Sequence, residues 1–407
     1  MKKSPKTSSA PATSTDVYAQ RGVSSGKEDV HRATRNLDQG LVPTAFCKIL
    51  PDFLGGSAKH CNIIHADTAG TKAGLAWLMA QAHADPKIAG SIAVDALTMN
   101  VDDVGCCGVV DDILVNQTIG RNAFQVNSDM IEAIIGSADH FCTMLTNLGI
   151  GCHFGGGETA SVGDIVRTLD VGSSVVARLK QKDIIDAGNM VPDDILVGFS
   201  STGQAFWETK LNSGIGSNGL TNGRHDALCD IYRNMTETYA PEMEKGLVYR
   251  GPYKLTDRLP EDINFTIGEA LLSPTRTYLP LIKTVLTHIP RRFIHGIIHC
   301  SGGGQTKIMK FGKPGNVYMK DDIFPTPPVF AMLQRVSGAT WEQMYKVYNM
   351  GWRLEMAVPS RTLANEIIDI AAKSCGIKAQ VIGRIEKGDH GNKCQVVIRS
   401  CKGELKY

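Results

Sequence analysis

Two stretches of this chain share one form. Residues 152–160 read CHFGGGETA and residues 295–307 read HGIIHCSGGGQTK, each an apolar run that opens onto three glycines. No strict period runs along the chain, so this loose echo points to two similar halves rather than a repeat array. At 407 residues the chain is long enough for two packed domains. The boundary is expected near Lys182, where a strand-like run gives way to polar turn residues around Pro192. That divides the chain into residues 17–182 and 183–407, after a tail of residues 1–16 rich in Lys, Ser, Thr and Pro. The tail has too little to bury to offset its ordering entropy, and it is expected to be disordered.

Composition narrows the function. Forty-three basic against 41 acidic residues leave a formal charge of +2, which gives no field able to concentrate nucleic acid or an anionic membrane. A small-molecule ligand is the expected partner. No apolar run approaches the roughly 18 residues of a membrane span, and no signal-peptide h-region is present, so a cytoplasmic protein is expected. The eleven cysteines lack any Cys-x-x-Cys and read as reduced, packed thiols. Neither Cys106–Cys107 nor Cys152–His153 has zinc spacing.

Residues 61–65, CNIIH, read as a buried strand, followed by a turn at ADTAGTK and a helix over residues 73–83. A second apolar segment, SIAVDALTMNV, runs into DDVGCCG, where acids and glycines collect at an expected element end. The strongest helix starts at Ser128 as N-cap. It places Ile131, Ile134, Ala138, Phe141 and Leu145 on one face and closes at Gly149. Another spans Ser360 to about Ser374, with Gly376 after its end. AQVIGRIE and CQVVIRS, flanking KGDHGN, predict a closing hairpin.

The chemistry collects at element ends. Asp67 and Lys72 lie in DTAGTK, Asp102 and Asp103 in DDVGCCG, and Glu158 in GGGETA, where a P-loop would carry Lys and Ser or Thr. A protein without a Walker loop can neutralise a triphosphate with Mg²⁺ held by carboxylates plus one Lys. Each feature also has a plainer reading. A glycine triplet serves a tight turn, paired aspartates serve a solvated strand end or a helix N-cap, and His299 beside Cys300 suits a core histidine.

In order, these segments resemble the phosphoribosylformylglycinamidine cyclo-ligases, also called AIR synthetases, over nearly the whole chain after the tail. YAQRGV, DTAGTKAGLA, NVDDVGCCG, GGGETA, GSNG with Arg224, EALLSPTRTY, HGIIHCSGGG, and YNMG with VIGRI each match a family landmark in sequence. The resemblance implies an α+β fold of layered α/β halves. The N-terminal halves of two chains would pair their sheets into a β-barrel at a homodimer interface, and the C-terminal half would be a sheet backed by helices. It implies ATP-dependent cyclisation of formylglycinamidine ribonucleotide to aminoimidazole ribonucleotide in purine synthesis, with ATP and Mg²⁺ as cofactors.

By the same resemblance Lys72, Asp103, Glu158 and His299 are the catalytic candidates, and Asp67, Asp103 and Glu158 the metal ligands. Asp67, Gly70, Thr71, Lys72, Gly156, Gly157, Ser301, Gly302 and Gly303 would hold the nucleotide. Thr159, Ser217, Asn218, Gly219 and Arg276 would contact the substrate. Selenophosphate synthetase and thiamine-phosphate kinase share the superfamily, but they resemble one another in an Asp where this chain has His299. The selenophosphate enzymes also carry a reactive Cys or selenocysteine in a glycine-rich N-terminal stretch, and no Cys precedes Cys47 here.

The chain departs from the family at Val109-Val110-Asp111, in place of Ala-x-Pro, and at Asp102-Asp103, in place of Asn-Asp. Gly216 stands where a His usually precedes Ser-Asn-Gly, and about ten extra residues, QAFWETKLNS, come just before it. The alternatives to the cyclo-ligase reading are a nucleotide-binding paralogue without catalysis and a superfamily kinase or synthetase with another substrate.

Overall fold

The computed structural model describes residues 17–23, 28–388, 391 and 393–407; the expected tail, residues 1–16, lies outside the described residues. The first half is built on a five-stranded sheet of β1 (Ile49–Pro51), β2 (His60–Thr68), β3 (Ile113–Arg121), β4 (Cys152–Ser161) and β5 (Leu169–Lys180). Its order is β1-β2-β5-β3-β4, with only the β3–β4 pair parallel. The second half begins with β6 (Ile195–Ser200) and a small ribbon of β7 (Arg258–Leu259) and β8 (Asp262–Thr266). It continues with β9 (Gly296–His299), β10 (Asn316–Lys320), β11 (Trp352–Val358), β12 (Ala379–Lys387), β13 (Gln395–Ser400) and β14 (Gly403–Lys406). Seven of these strands form one sheet in the order β14-β13-β10-β12-β6-β11-β9. The layered mixture of helices and sheets matches the expected class. Within one chain the first sheet is open, with β1 and β4 as its edges.

Helices form where the sequence punctuates them. Asn127 caps the Ser128–Asn147 helix by accepting from the Met130 amide at 3.0 Å, one residue before the expected cap. Gly149 follows its end at φ +79°, a conformation that costs glycine nothing. Ser360 caps Arg361–Cys375, and Gly376 closes it in the left-handed region at φ +67°, as its sequence predicts.

Three expectations change. Asp102 and Asp103 do not end an element: SIAVDALTMNVDDVGC is one buried helix, Ser91–Cys106. A helix that is mostly apolar on all sides must be covered on all sides. This one packs on β2 and β5, on the Ser128–Asn147 helix, and across the halves on β9 and the Leu279–His288 helix. Second, CHFGGGETA is not a loop but most of β4. Gly155 and Gly156 together oppose Asn116, between the Val115–Phe154 and Gln117–Gly157 pairs, so the glycines make a β-bulge with Gly156 at φ +82°. Third, β12 and β13 do not form a hairpin. β10 lies between them, antiparallel to β12 and parallel to β13.

Candidate functional site

The central helix carries two buried charged clusters to the junction of the halves. Near its start, Asp95 Oδ1 accepts from Lys72 Nζ at 2.8 Å, from the Thr275 amide at 2.8 Å, from Thr275 Oγ1 at 2.5 Å and from Ser217 Oγ at 3.0 Å. Lys72 also donates to the carbonyls of Gly216 and Ser273, at 3.1 and 2.6 Å. All three protons of its ammonium are therefore committed, and both Lys72 and Asp95 are fully buried. Burial pushes the Lys72 ammonium down, against the pull of Asp95. The expected phosphate lysine is here a bolt between the halves. Asp95, its counter-ion, was not among the residues singled out from sequence; it sits in an apolar run with no motif around it.

Two turns further along, Asp103 Oδ1 is 2.6 Å from His299 Nδ1, and its Oδ2 is 3.4 Å from His65 Nε2. Burial alone would raise the Asp103 carboxyl, but the hydrogen bond and charge of His299 outweigh it and hold the group below its ordinary value. His299, at the end of β9, is fully buried, and its Nε2 has no hydrogen-bond partner among the described residues. His65 is oriented through Nδ1 by Asn100 Oδ1 at 2.9 Å. Sequence reasoning passed over His65 as the end of a strand, although its period-two position beside Asp67 put it on the face that meets the helix.

Asp102 points the other way. It accepts from Thr277 Oγ1 at 2.7 Å and the Tyr278 amide at 3.0 Å, and burial raises its carboxyl. The thiols nearby take no part: burial pushes Cys106 and Cys300 well up, so neither supplies a thiolate at neutral pH.

Three loops meet around these clusters. Thr71 Oγ1 lies 2.7 Å from Thr221 Oγ1, which ties the Gly70–Thr71 turn to the start of the Leu220–Ala227 helix. Gly219 precedes that helix at φ +76°, and a Cβ there would lie 2.4 Å from the Tyr348 ring, so only glycine fits. Asn218 faces Gly302, its amide nitrogen 3.8 Å from where a Cβ would stand. Ser301 is buried and closes the 301–304 turn through its carbonyl, which accepts from the Gly304 amide at 2.9 Å; Gly303 adopts φ +102°. Lys307, just beyond, sits with its ammonium 5.3 Å from the centre of the Phe46 ring, forms no ion pair among the described residues, and adds positive charge at Asp103.

Other expected residues stand apart. Arg276 is buried and held by Glu208, at 2.9 and 2.5 Å, and by the carbonyls of Ser200 and Thr202. It anchors the extra segment, residues 204–213, to the second half. Asp67 is on the inner face of β2, in register with Ser173 and half-exposed. Glu158 is in register with Thr118, whose neighbours Gln117 and Ile119 are buried, so Glu158 stands on the outer face. Gly157 and Thr159 flank it on an edge strand, also exposed. The expected trio Asp67, Asp103 and Glu158 is thus divided between two faces of a sheet. Among the described residues no group of three His, Cys, Asp or Glu is arranged to hold a metal. The physical reason is the strand's period of two, which alternates the facing of successive residues.

This architecture is shared with known proteins. The structure of the HypE–HypF complex aligns with a TM-score of 0.54, covering 94% of this chain and 98% of that chain at 13% identity. T. maritima PurL complexed with FGAR aligns at 0.51, covering 97% of this chain and 52% of that chain at 11% identity. These define the fold class. No family profile matches the chain. At the level of sequence, the phosphoribosylformylglycinamidine cyclo-ligase of Methanocaldococcus jannaschii is 29% identical over 303 residues, 72% of this chain and 71% of that protein. The cyclo-ligase of Bacillus licheniformis is 28% identical over 326 residues, 79% of each. The chain is a homologue of the phosphoribosylformylglycinamidine cyclo-ligases, as its ordered motifs indicate.

Proposed function

We propose that this protein closes formylglycinamidine ribonucleotide to 5-aminoimidazole ribonucleotide, consuming ATP and releasing ADP and phosphate, in purine biosynthesis. The observation that carries the reading is sequence similarity to cyclo-ligases across about three quarters of the chain, in a chain whose two halves meet at the Asp103–His299 pair. An amide oxygen is a poor leaving group. Transfer of the γ-phosphoryl group to the formyl oxygen makes it a good one, and a nitrogen of the same substrate then attacks that carbon. Phosphate departs, and the attacking nitrogen loses a proton.

In this reading the chain supplies position and charge. Holding the tethered nucleophile over the carbon raises its effective molarity. Backbone amides of Gly302 and Gly303, the Gly70–Thr71 turn and Asn218 would cradle the nucleotide, and Lys307 would neutralise phosphate where Lys72 is locked. Ser217 and Gly219 would shape the substrate side. Asp67, half-exposed beside the junction, fits the habit of Mg²⁺, which binds through one or two carboxylates together with phosphates; bound there it would neutralise the triphosphate. His299 would take the proton at Nε2, with Asp103 stabilising the imidazolium.

A second copy of the chain is the proposed cover for the outer face of the first sheet, where Ile64 and Leu114 are 53% and 57% exposed. That homodimer would enclose Gly156, Glu158 and Thr159. Among the described residues no helix is long and apolar enough to cross a membrane, and a cytoplasmic enzyme is the proposal.

The test is ADP release with Mg²⁺ and ATP, with and without formylglycinamidine ribonucleotide, while aminoimidazole is followed in the same tube. ADP and aminoimidazole are expected together and only with substrate. ATP binding with neither product would overturn the reaction.

A further inference from the structure

The extra segment walls a cavity that the proposed reaction does not use. We infer that this cavity is a binding site for a planar aromatic carboxylate. Trp207 and Leu211 of the segment form one wall; Val94 of the central helix, with Phe141 and Met144 of the Ser128–Asn147 helix, form the other. The cavity, open on one side, has a volume of about 250 Å³. An apolar cavity of about 150 Å³ accepts benzene, so this one has room for two fused rings.

Charge selects the substituent. Lys210 and His140 line the mouth, both exposed, and neither has an ion-pair partner among the described residues. The one carboxylate in the wall, Glu208, is already satisfied by Arg276 at 2.5 Å, by the Ala205 amide at 2.7 Å and by Asn212 at 3.2 Å. Glu269, the further carboxylate whose charge reaches Lys210, is held by the Thr266 amide at 2.8 Å, so an anion can still be met by Lys210 while the rings lie on an apolar wall. The cavity also reaches residues 274–277. Thr275 binds Asp95 and Thr277 binds Asp102, so an occupant rests directly behind the junction of the halves without touching Asp103 or His299.

The experiment is calorimetric titration of the full chain with 2-naphthoate and with its uncharged counterpart, 2-naphthalenemethanol. Binding is read without turnover, so its outcome is independent of the cyclisation reading. Saturable binding at one site is expected, with naphthoate favoured. Lys210→Gln is expected to weaken naphthoate by about threefold to tenfold and to leave the alcohol unchanged. Met144→Trp fills the cavity and is expected to weaken both by more than about tenfold; Ser137→Phe, about two turns back on the same helical face, replaces it should that variant not fold. No saturable binding at millimolar probe overturns the site, as does affinity indifferent to the filling variants. Equal affinity for the two probes, unmoved by Lys210→Gln, overturns the carboxylate.

Discussion

Asp95 and Asp103 lie on one helix, at one junction, and do opposite things. Around Asp95 every donor is spent: Lys72 gives all three of its protons to fixed acceptors, and Thr275 and Ser217 donate to the same Oδ1, with Oδ2 left unpartnered among the described residues. Around Asp103 the partners are imidazoles, one with an idle ring nitrogen and one partly open to solvent. Committed donors fix geometry; an idle nitrogen on a base that is paired with a carboxylate leaves a proton to move. The contrast separates a structural ion pair from a chemical one, although Lys72 and Asp103 were both catalytic candidates by sequence.

Breaking the first cluster should cost the most stability. Lys72→Met leaves Asp95 buried and uncompensated, and a loss of about 3–5 kcal/mol is expected in urea unfolding. Adding Asp95→Leu should recover much of it, because an apolar pair avoids the desolvation cost. If Lys72→Met unfolds at the wild-type midpoint, the bolt is not one.

The second cluster should fail in chemistry before it fails in folding. Asp103→Asn is expected to lower turnover by about a hundredfold to ten-thousandfold while the far-ultraviolet spectrum is kept. Its pH signature has a definite sign. The folded Asp103 carboxyl sits below its ordinary value, so the unfolded chain binds the extra proton as pH falls through about 4. The stabilisation is present above that value and is lost on acidification. Urea midpoints measured between about pH 3 and 6 should therefore fall less steeply for Asp103→Asn than for the parent chain, and identical slopes would refute the assignment.

Smaller effects sharpen the boundary between the two kinds of site. Glu208→Gln weakens the charged hydrogen bonds that hold Arg276, for an expected loss of about 1–3 kcal/mol, with the Michaelis constant unchanged. A large rise in that constant would return Arg276 to the substrate site. Glu158→Gln, on a face that is exposed in the single chain, should shift the unfolding stability of the monomer by less than about 0.5 kcal/mol.

The two glycine triplets show how far sequence reading reaches. Both were legible as places where backbone comes close to something. In the first half the something is a neighbouring strand: a Cβ at Gly157 would fall 1.7 Å from the Gln117 carbonyl. In the second it is helix-end backbone, with a Cβ at Gly304 placed 2.5 Å from the Tyr345 carbonyl. Glycine permits both, and nothing local chooses between bulge and turn. Period and caps, by contrast, located the Ser128–Asn147 and Arg361–Cys375 helices almost to the residue, because those signals act within a few positions.

The sequence by itself determined the class of fold, the amphipathic helices and, through the order of its motifs, the likeness to cyclo-ligases. Tertiary structure decided which charges are free. It locked Lys72 and Arg276, paired Asp103 with His299, brought in Asp95 and His65, and turned Glu158 to the far face. The reason is physical: propensity and capping are local energies, whereas the state of a buried charge is set by partners that the chain supplies from more than a hundred residues away.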